Sequence, residues 1–261
     1  MGLTRVFQGK PLSNQTPEAE LRPFSLRRAL GEFRAFIELR WALATHRTDW
    51  LLRRRFNRWA KWGRGEAMEQ HHVQIAETIW ERMELRPKDR ILELGCGEGW
   101  ACRLMAHRAG PECSVAGLDI SDEMVRRAQE KSRAYPNVSY HCGSAHQLPG
   151  PENHFTKVVS IEAFYYFERQ EQVLRELLRV MEPGGQLYLL MCLYQEDPKG
   201  KDWFEDIGMP VHNRSIAEYE EMLRRTGWVG VRSEVFEFRT DPYAKQGGHD
   251  RPLLVTARKA C

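Results

Sequence analysis

Arg90-Ile91-Leu92-Glu93-Leu94-Gly95-Cys96-Gly97-Glu98-Gly99-Trp100 is the stretch that decides how this chain folds. Ile91, Leu92 and Leu94 form a short apolar run with charge before it and glycine after it. That pattern suits a parallel strand covered on both faces. Gly95, Gly97 and Gly99 permit a tight turn and leave no Cβ to obstruct a ligand. From Trp100 to Arg108 the spacing is helical, with Ala101, Leu104, Met105 and Ala106 available for a buried face. Free backbone N–H groups at such a helix start favour polar or anionic ligand groups.

Downstream, the pattern alternates. Residues 113–119 read as a second strand ending in Asp119, and Ser121 offers an N-cap for the next helix. Strands follow at 138–142, 155–161 and 186–192, with a helix over 168–181 and a Glu182-Pro-Gly-Gly185 turn between the last two. A helix over 215–226 closes at Gly227, and strands at 228–238 and 253–257 complete the chain as a hairpin at one edge. Strands alternating with helices predict an α/β fold with a doubly wound, mostly parallel sheet and right-handed crossovers.

The 261 residues are 42% hydrophobic and 29% charged, enough for one α/β domain plus an extension. No apolar run reaches the roughly 18 residues of a membrane span, and the N-terminus lacks the apolar core of a secretory signal. The six cysteines form no CxxC pair. A reducing cytoplasm is therefore the expected setting, with neither a disulfide framework nor a metal site.

The net charge of +3 hides an asymmetry: residues 1–65 carry fourteen Lys/Arg against five Asp/Glu, and the remainder carries 25 against 31. We read 1–65 as a basic helical N-terminal arm and 66–261 as the catalytic domain. Leu26, Leu30, Phe33, Ile37 and Trp41 recur at helical spacing. Trp50, Leu51, Phe56, Trp59 and Trp62 follow, with Arg53, Arg54, Arg55, Arg58 and Lys61 between them. Such an arm packs on its own domain or on a second copy, lies on an anionic membrane surface, or touches nucleic acid. The acidic balance of 66–261 disfavours a broad nucleic-acid footprint.

A strand, a glycine turn, a helix and then an acid ending the next strand make a nucleoside-binding arrangement. Asp119, twenty residues beyond Gly99, is placed to take both ribose hydroxyls. A dinucleotide fingerprint would need its third glycine at position 100, where Trp100 stands, so a pyrophosphate on this helix start is disfavoured.

Ile91-Leu-Glu-Leu-Gly-Cys-Gly-Glu-Gly99, Gly117-Leu-Asp-Ile-Ser121, Gly143-Ser-Ala-His-Gln-Leu-Pro149 and Glu182-Pro-Gly-Gly-Gln-Leu-Tyr188 resemble the successive motifs of the class I S-adenosylmethionine-dependent methyltransferases, in particular the small-molecule group that includes the quinone-biosynthesis enzymes. The resemblance spans roughly 66–260. It implies a seven-stranded Rossmann-like sheet with the last strand inserted antiparallel. It also implies S-adenosyl-L-methionine as cofactor and S-adenosyl-L-homocysteine as product. By the same resemblance Glu93 holds the methionine ammonium, while Gly95, Cys96 and Gly97 lie against the cofactor with their backbones. Asp119 takes the ribose diol and Ile120 packs on the adenine, with Met124, Ser144, Ala145 and Ile161 completing the cofactor site. Family members often carry Asp where Ser144 stands, contacting the adenine amino group; here that contact is weaker or comes from elsewhere.

The methyl group of a sulfonium is already activated, so the protein must mainly hold the acceptor in line and exclude water. A general base is needed only for an acceptor that arrives protonated. Glu162, Tyr165 and His212 are the foremost candidates, with His154 and Tyr166 behind them; Glu162 reads equally as a structural acid. Two segments are placed to cover the site: Gly63 to His72, with glycine hinges, and 193–214, a long connection carrying Trp203, Phe204, Ile207, Met209 and His212. Their content favours a small hydrophobic or aromatic acceptor. The competing readings are an RNA or protein methyltransferase guided by the arm, and a non-enzymatic cofactor-binding scaffold.

Overall fold

The computed structural model describes residues 34, 37–42, 44, 45, 47–197, 209–236 and 251–261, without the side chains of residues 67, 68, 71, 74 and 78. Leu26, Leu30, Phe33, Trp203, Phe204 and Ile207 lie outside the described residues.

Seven strands form one sheet in the order β3-β2-β1-β4-β5-β7-β6. They are β1 (Arg90–Leu94), β2 (Ser114–Asp119), β3 (Val138–Cys142), β4 (Phe155–Ile161), β5 (Met181–Met191), β6 (Trp228–Val235) and β7 (Leu253–Lys259). The first five run parallel, and β7 lies antiparallel between β5 and β6. The expected antiparallel pair therefore forms, with β7 inside the sheet and β6 on the edge. The turn expected at 182–185 is absorbed as an irregularity in β5, between pairings at Met181 and Gln186.

Beside a helical stretch at 37–42 and a 3₁₀ turn at Phe164–Tyr166, the described helices are α1 (Thr48–Lys61), α2 (Arg64–Met83), α3 (Trp100–Ala109), α4 (Asp122–Lys131), α5 (Gln170–Val180) and α6 (Ile216–Arg225). Side chains alternate across each strand, so the sheet has two cores. Leu92, Leu94, Val158, Leu187 and Leu189 pack on one face against Val173, Leu174 and Leu177 of α5 and Tyr219 and Leu223 of α6. Ile91, Val159, Tyr188 and Leu190 pack on the other against Ile75 and Ile79 of α2 and Met105 of α3. Helix caps follow the sequence: Ser121 Oγ accepts the Met124 N–H, and Ser215 with Glu218 forms a capping box.

One segment differs from expectation. Of Gly63, Arg64 and Gly65, Gly63 alone breaks the helical pattern, as the left-handed residue before α2; Gly65 lies inside α2. The stretch Gly63 to His72 is thus the first turns of α2, helical from Arg64, two residues before the pattern resumes in the sequence at Glu66, and Gly65 lies so close to Glu98 that a Cβ there would strike it.

The strand order reverses between β1 and β4, where the crevice at the carboxyl ends of a doubly wound sheet opens. Helix α1 crosses that crevice. It is tied to the segment after β2 through Asn57, whose amide donates to Asp122 Oδ1 at 2.9 Å and accepts from Ser121 Oγ at 2.6 Å. After β3 it meets Ser144 through Asp49 at 2.6 Å, and after β4 it meets Glu168 through Thr48 at 2.5 Å. Leu52 joins the main core, and Phe56 and Trp59 pack against it.

Candidate functional site

Beneath α1 lies a cavity of about 590 Å³, a usual size for a small-molecule site. Its floor is the glycine turn. The N–H groups of Gly95 and Cys96 both donate to Leu118 O, at 2.8 and 3.1 Å, which pins the turn to β2. Gly95 has φ +72°, and a Cβ there would collide with Ala163 at the end of β4. Gly97 has φ +51° and nothing within 4 Å of where its Cβ would be, so its backbone faces open cavity. Only glycine suits both positions.

Glu93, at the end of β1, lines the cavity yet is almost wholly buried. Burial pushes its carboxyl up to about 8, against a 2.8 Å hydrogen bond from the Cys102 thiol. A buried carboxyl group whose donors are the thiol and the backbone N–H of Cys102, with no cation against it among the described residues, is a site for a cation. Cys96 is inert by the same physics. A hydrogen bond with Cys102 pulls its thiol down, but burial raises it on balance to about 11.

Asp119 closes β2 and receives two backbone donors, Gly97 N at 2.9 Å on Oδ2 and Ser121 N at 2.8 Å on Oδ1. Each oxygen keeps a lone pair for a diol hydroxyl. Burial raises its carboxyl, while the backbone donors oppose that shift. Ile120, Met124, Ser144 and Ala145 continue the wall from Asp119, and Ile161 completes it from β4. Every residue the resemblance assigns to the cofactor therefore lines one cavity. Its open glycine cradle, diol-spaced acid and buried carboxylate fit a nucleoside carrying a cationic amino-acid arm.

The opposite end is aromatic. Tyr165 and Tyr166 sit in a 3₁₀ turn after β4, with ring centroids 4.6 Å apart. Phe56 of α1 meets Tyr166 edge-on at 5.3 Å and Trp59 at the same distance. Glu162 lines the same cavity as these rings and the glycine turn, with φ +55°, a backbone state that non-glycine residues enter at some cost. Its Oε1 accepts Cys192 N at 2.5 Å and its Oε2 accepts the Tyr165 hydroxyl at 3.0 Å. Burial pushes the carboxyl up to about 7 despite those bonds. Tyr165 is itself raised well above its ordinary value by burial, so it acts as a neutral donor.

His212 is not among the residues lining this cavity. Its N–H donates to Tyr165 O at 2.8 Å and its carbonyl accepts the Tyr219 hydroxyl at 3.2 Å. Burial lowers its imidazole, leaving it neutral near pH 7. It holds the 3₁₀ turn through that backbone bond to Tyr165 and does not enter the cavity lining. His154 is also outside the cavity, its ring against Phe155 at 4.9 Å. Of the two expected covering segments, α2 contributes Arg64, Gly65 and His72 to the cavity; residues 198–208 of the second lie outside the described residues.

The sequence reading missed the contribution of α1: Asp49, Leu52, Phe56 and Trp59 all line the cavity. Their spacing of three, four and three residues marks one helix face. That signal was present, but nothing in the sequence said what the face covers. Glu98 was also missed; it is buried and held by Lys131 at 2.5 Å.

A family model described as "Methyltransferase domain" matches residues 92–189. A demethylmenaquinone methyltransferase from Listeria welshimeri is 33% identical over 200 residues, covering 71% of this chain and 84% of the relative. A 27-O-demethylrifamycin SV methyltransferase from Amycolatopsis mediterranei is 29% identical, covering 61% of each chain. Among solved structures, a methyltransferase complexed with the Haloferax volcanii Trm112 activator superposes with a TM-score of 0.70 at 26% identity, over 79% of this chain and 98% of that one. A methyltransferase from Aquifex aeolicus shares the fold, with a TM-score of 0.58 at 20% identity over 75% and 97% of the two chains. The relative from Listeria is similar enough, over enough of its length, to settle the family: this chain belongs to the class I S-adenosylmethionine-dependent methyltransferases.

Proposed function

We propose that the protein methylates a small aromatic acceptor of the quinol kind, held between the rings of Tyr165, Tyr166, Phe56 and Trp59, with Glu162 as general base. The observation that carries this reading is Glu162 itself: a carboxyl group raised to about 7 that lines the same cavity as the glycine turn and the aromatic residues. The bound cofactor supplies a sulfonium-activated methyl group. Glu93, Gly95, Gly97 and Asp119 hold it, and the aromatic residues orient the acceptor and exclude water. Glu162 accepts the acceptor's hydroxyl proton, while Tyr165 and the Cys192 N–H keep its carboxylate in place. Relatives named for demethylmenaquinone and an O-demethylated rifamycin support a small-molecule acceptor. The acidic balance of residues 66–261 weighs against an RNA substrate.

The arm supports a second part of the reading, that the protein works at an anionic membrane surface. The outer side of α1 carries Trp50, with Trp62 at its end and Trp41 just before it, all exposed. Arg54, Arg58 and Arg47 lie over these three rings at 5.4, 5.8 and 5.5 Å respectively. Arginine and tryptophan on the outward face of a helix suit the lipid headgroup layer. No described helix is long and apolar enough to cross a membrane.

The decisive experiment supplies a short-chain demethylated quinol with S-adenosylmethionine and follows product by mass spectrometry. Glu162→Gln is expected to lower kcat by about 10²–10⁴-fold while leaving S-adenosylhomocysteine affinity within a few-fold. Wild-type kcat is expected to rise with pH and level off above about 7, because the ionised carboxylate is the active form. Unchanged turnover in the variant would show that no base acts at this position.

A further inference from the structure

Asp49 lies on the cavity side of α1, against the loop that follows β3. Ser144 Oγ donates to its Oδ2 at 2.6 Å, and His146 Nδ1 stands 3.4 Å from the same oxygen and 2.8 Å from Ser144 Oγ. His146 is buried, and its Nε2 accepts the Arg169 N–H at 3.2 Å. A nitrogen that accepts carries no proton, so in the neutral ring the proton sits on Nδ1, facing Asp49 and Ser144. Partial burial raises the Asp49 carboxyl, but the hydrogen bonds from His146 and Ser144 outweigh it and hold the group below its ordinary value. Asp49 is therefore an ionised, pure acceptor, and both of these contacts fall on Oδ2. Its cavity neighbours Gly143, Ser144 and Ala145, with Ile120 and Met124, form the part of the wall beyond the diol-binding Asp119. Ser144 has no carboxylate to offer there, and its hydroxyl proton is already committed to Asp49.

We propose that Asp49, carried on the N-terminal helix and not on the sheet, supplies the carboxylate that recognises the exocyclic amino group of the cofactor's adenine, with Ser144 and His146 as positioning residues. The proposal rests on the cavity being the cofactor site. The amino group brings two N–H donors to an acceptor that has one oxygen to spare. Hypoxanthine presents a carbonyl at that position, so the same carboxylate would meet an acceptor and repel it.

Calorimetric titration of the full chain with S-adenosylhomocysteine and with its deaminated analogue, S-inosylhomocysteine, tests this directly. The wild type is expected to bind the adenine form about 10- to 100-fold more tightly, the worth of one charge-assisted hydrogen bond. Asp49→Asn is expected to bring the ratio near one or invert it, because its amide N–H donates to the hypoxanthine carbonyl. Asp49→Ala serves the same test should the Asn variant fail to fold, and is expected to bring the ratio near one. A ratio unchanged from wild type in both variants overturns the proposal, even if both affinities fall together, since a merely structural α1 would weaken both ligands alike. Failure of the wild type to bind either ligand removes the cofactor site itself, and the proposal with it.

Discussion

At the scale of single residues, burial raises three carboxyl groups of the cavity, Glu93, Asp119 and Glu162, above the range of surface acids. Glu93 is raised to about 8 and Glu162 to about 7. An acid raised on folding is favoured in its neutral form, so each group stabilises the ligand-free protein below its ordinary range. That contribution fades as pH rises through the folded value. A bound cation reverses the preference at Glu93 by favouring the charged form. Binding of S-adenosylhomocysteine, whose ammonium we place beside Glu93, is therefore expected to release close to one proton at pH 6.5. Its affinity should tighten by up to roughly tenfold per pH unit until about pH 8. Calorimetry in two buffers of different ionisation enthalpy measures the proton directly. Glu93→Gln should abolish the release; an unchanged proton count in that variant would place the ammonium elsewhere.

At the scale of elements, α1 turns an open crevice into a closed site. It buries Leu51 and Leu52 completely or nearly so, and it is fastened to the ends of β2, β3 and β4 by Asn57, Asp49 and Thr48. Asn57 is the tether most separable from the chemistry, since it is not among the cavity-lining residues. Asn57→Ala is expected to quicken amide exchange across α1 and to speed release of S-adenosylhomocysteine several-fold. Melting should show a loss of about 1–2 kcal/mol, because Ser121 Oγ and Asp122 each lose a partner. If exchange across α1 does not change, apolar packing alone seats the helix. The glycine turn, the succession of strands along the chain and the acid ending β2 were legible in the sequence because tight turns and buried strands constrain residue type locally, whereas the insertion of β7 between β5 and β6 was expected only through the family resemblance. The partner of α1 was not legible, because an amphipathic face states only that something covers it. The choice between Glu162 and His212 was equally hidden. Both are titratable residues on loops after parallel strands, and only the three-dimensional path of 209–214 ties His212 to the 3₁₀ turn by its backbone while leaving it out of the cavity lining.

At the scale of the whole molecule, α1 has two working faces. The inner one carries Asp49, Phe56 and Trp59 into the cavity, and the outer one carries Trp50 and Arg54, with Arg58 stacked on Trp62 where the helix ends. Arg54 is paired with Glu38 at 2.8 Å and Arg53 with Asp122 at 2.9 Å, so not every outer cation is available. Residues 1–65 nevertheless carry fourteen basic against five acidic side chains. Each basic group near an anionic bilayer contributes about 1 kcal/mol, and the tryptophans add apolar contact at the headgroup level. We expect the full chain to sediment with vesicles containing phosphatidylglycerol and to stay in the supernatant with pure phosphatidylcholine. Raising the salt from 50 to 500 mM should release it as the Debye length shrinks from roughly 14 to 4 Å. Trp50→Ala with Trp62→Ala should weaken the sedimentation about tenfold or more and leave S-adenosylhomocysteine affinity unchanged, because neither ring reaches the cavity. No sedimentation with the anionic vesicles at 50 mM salt would mean that the tryptophan–arginine face serves a protein contact instead. A quinol acceptor would then have to reach Glu162 from solution and not along a helix lying on the bilayer.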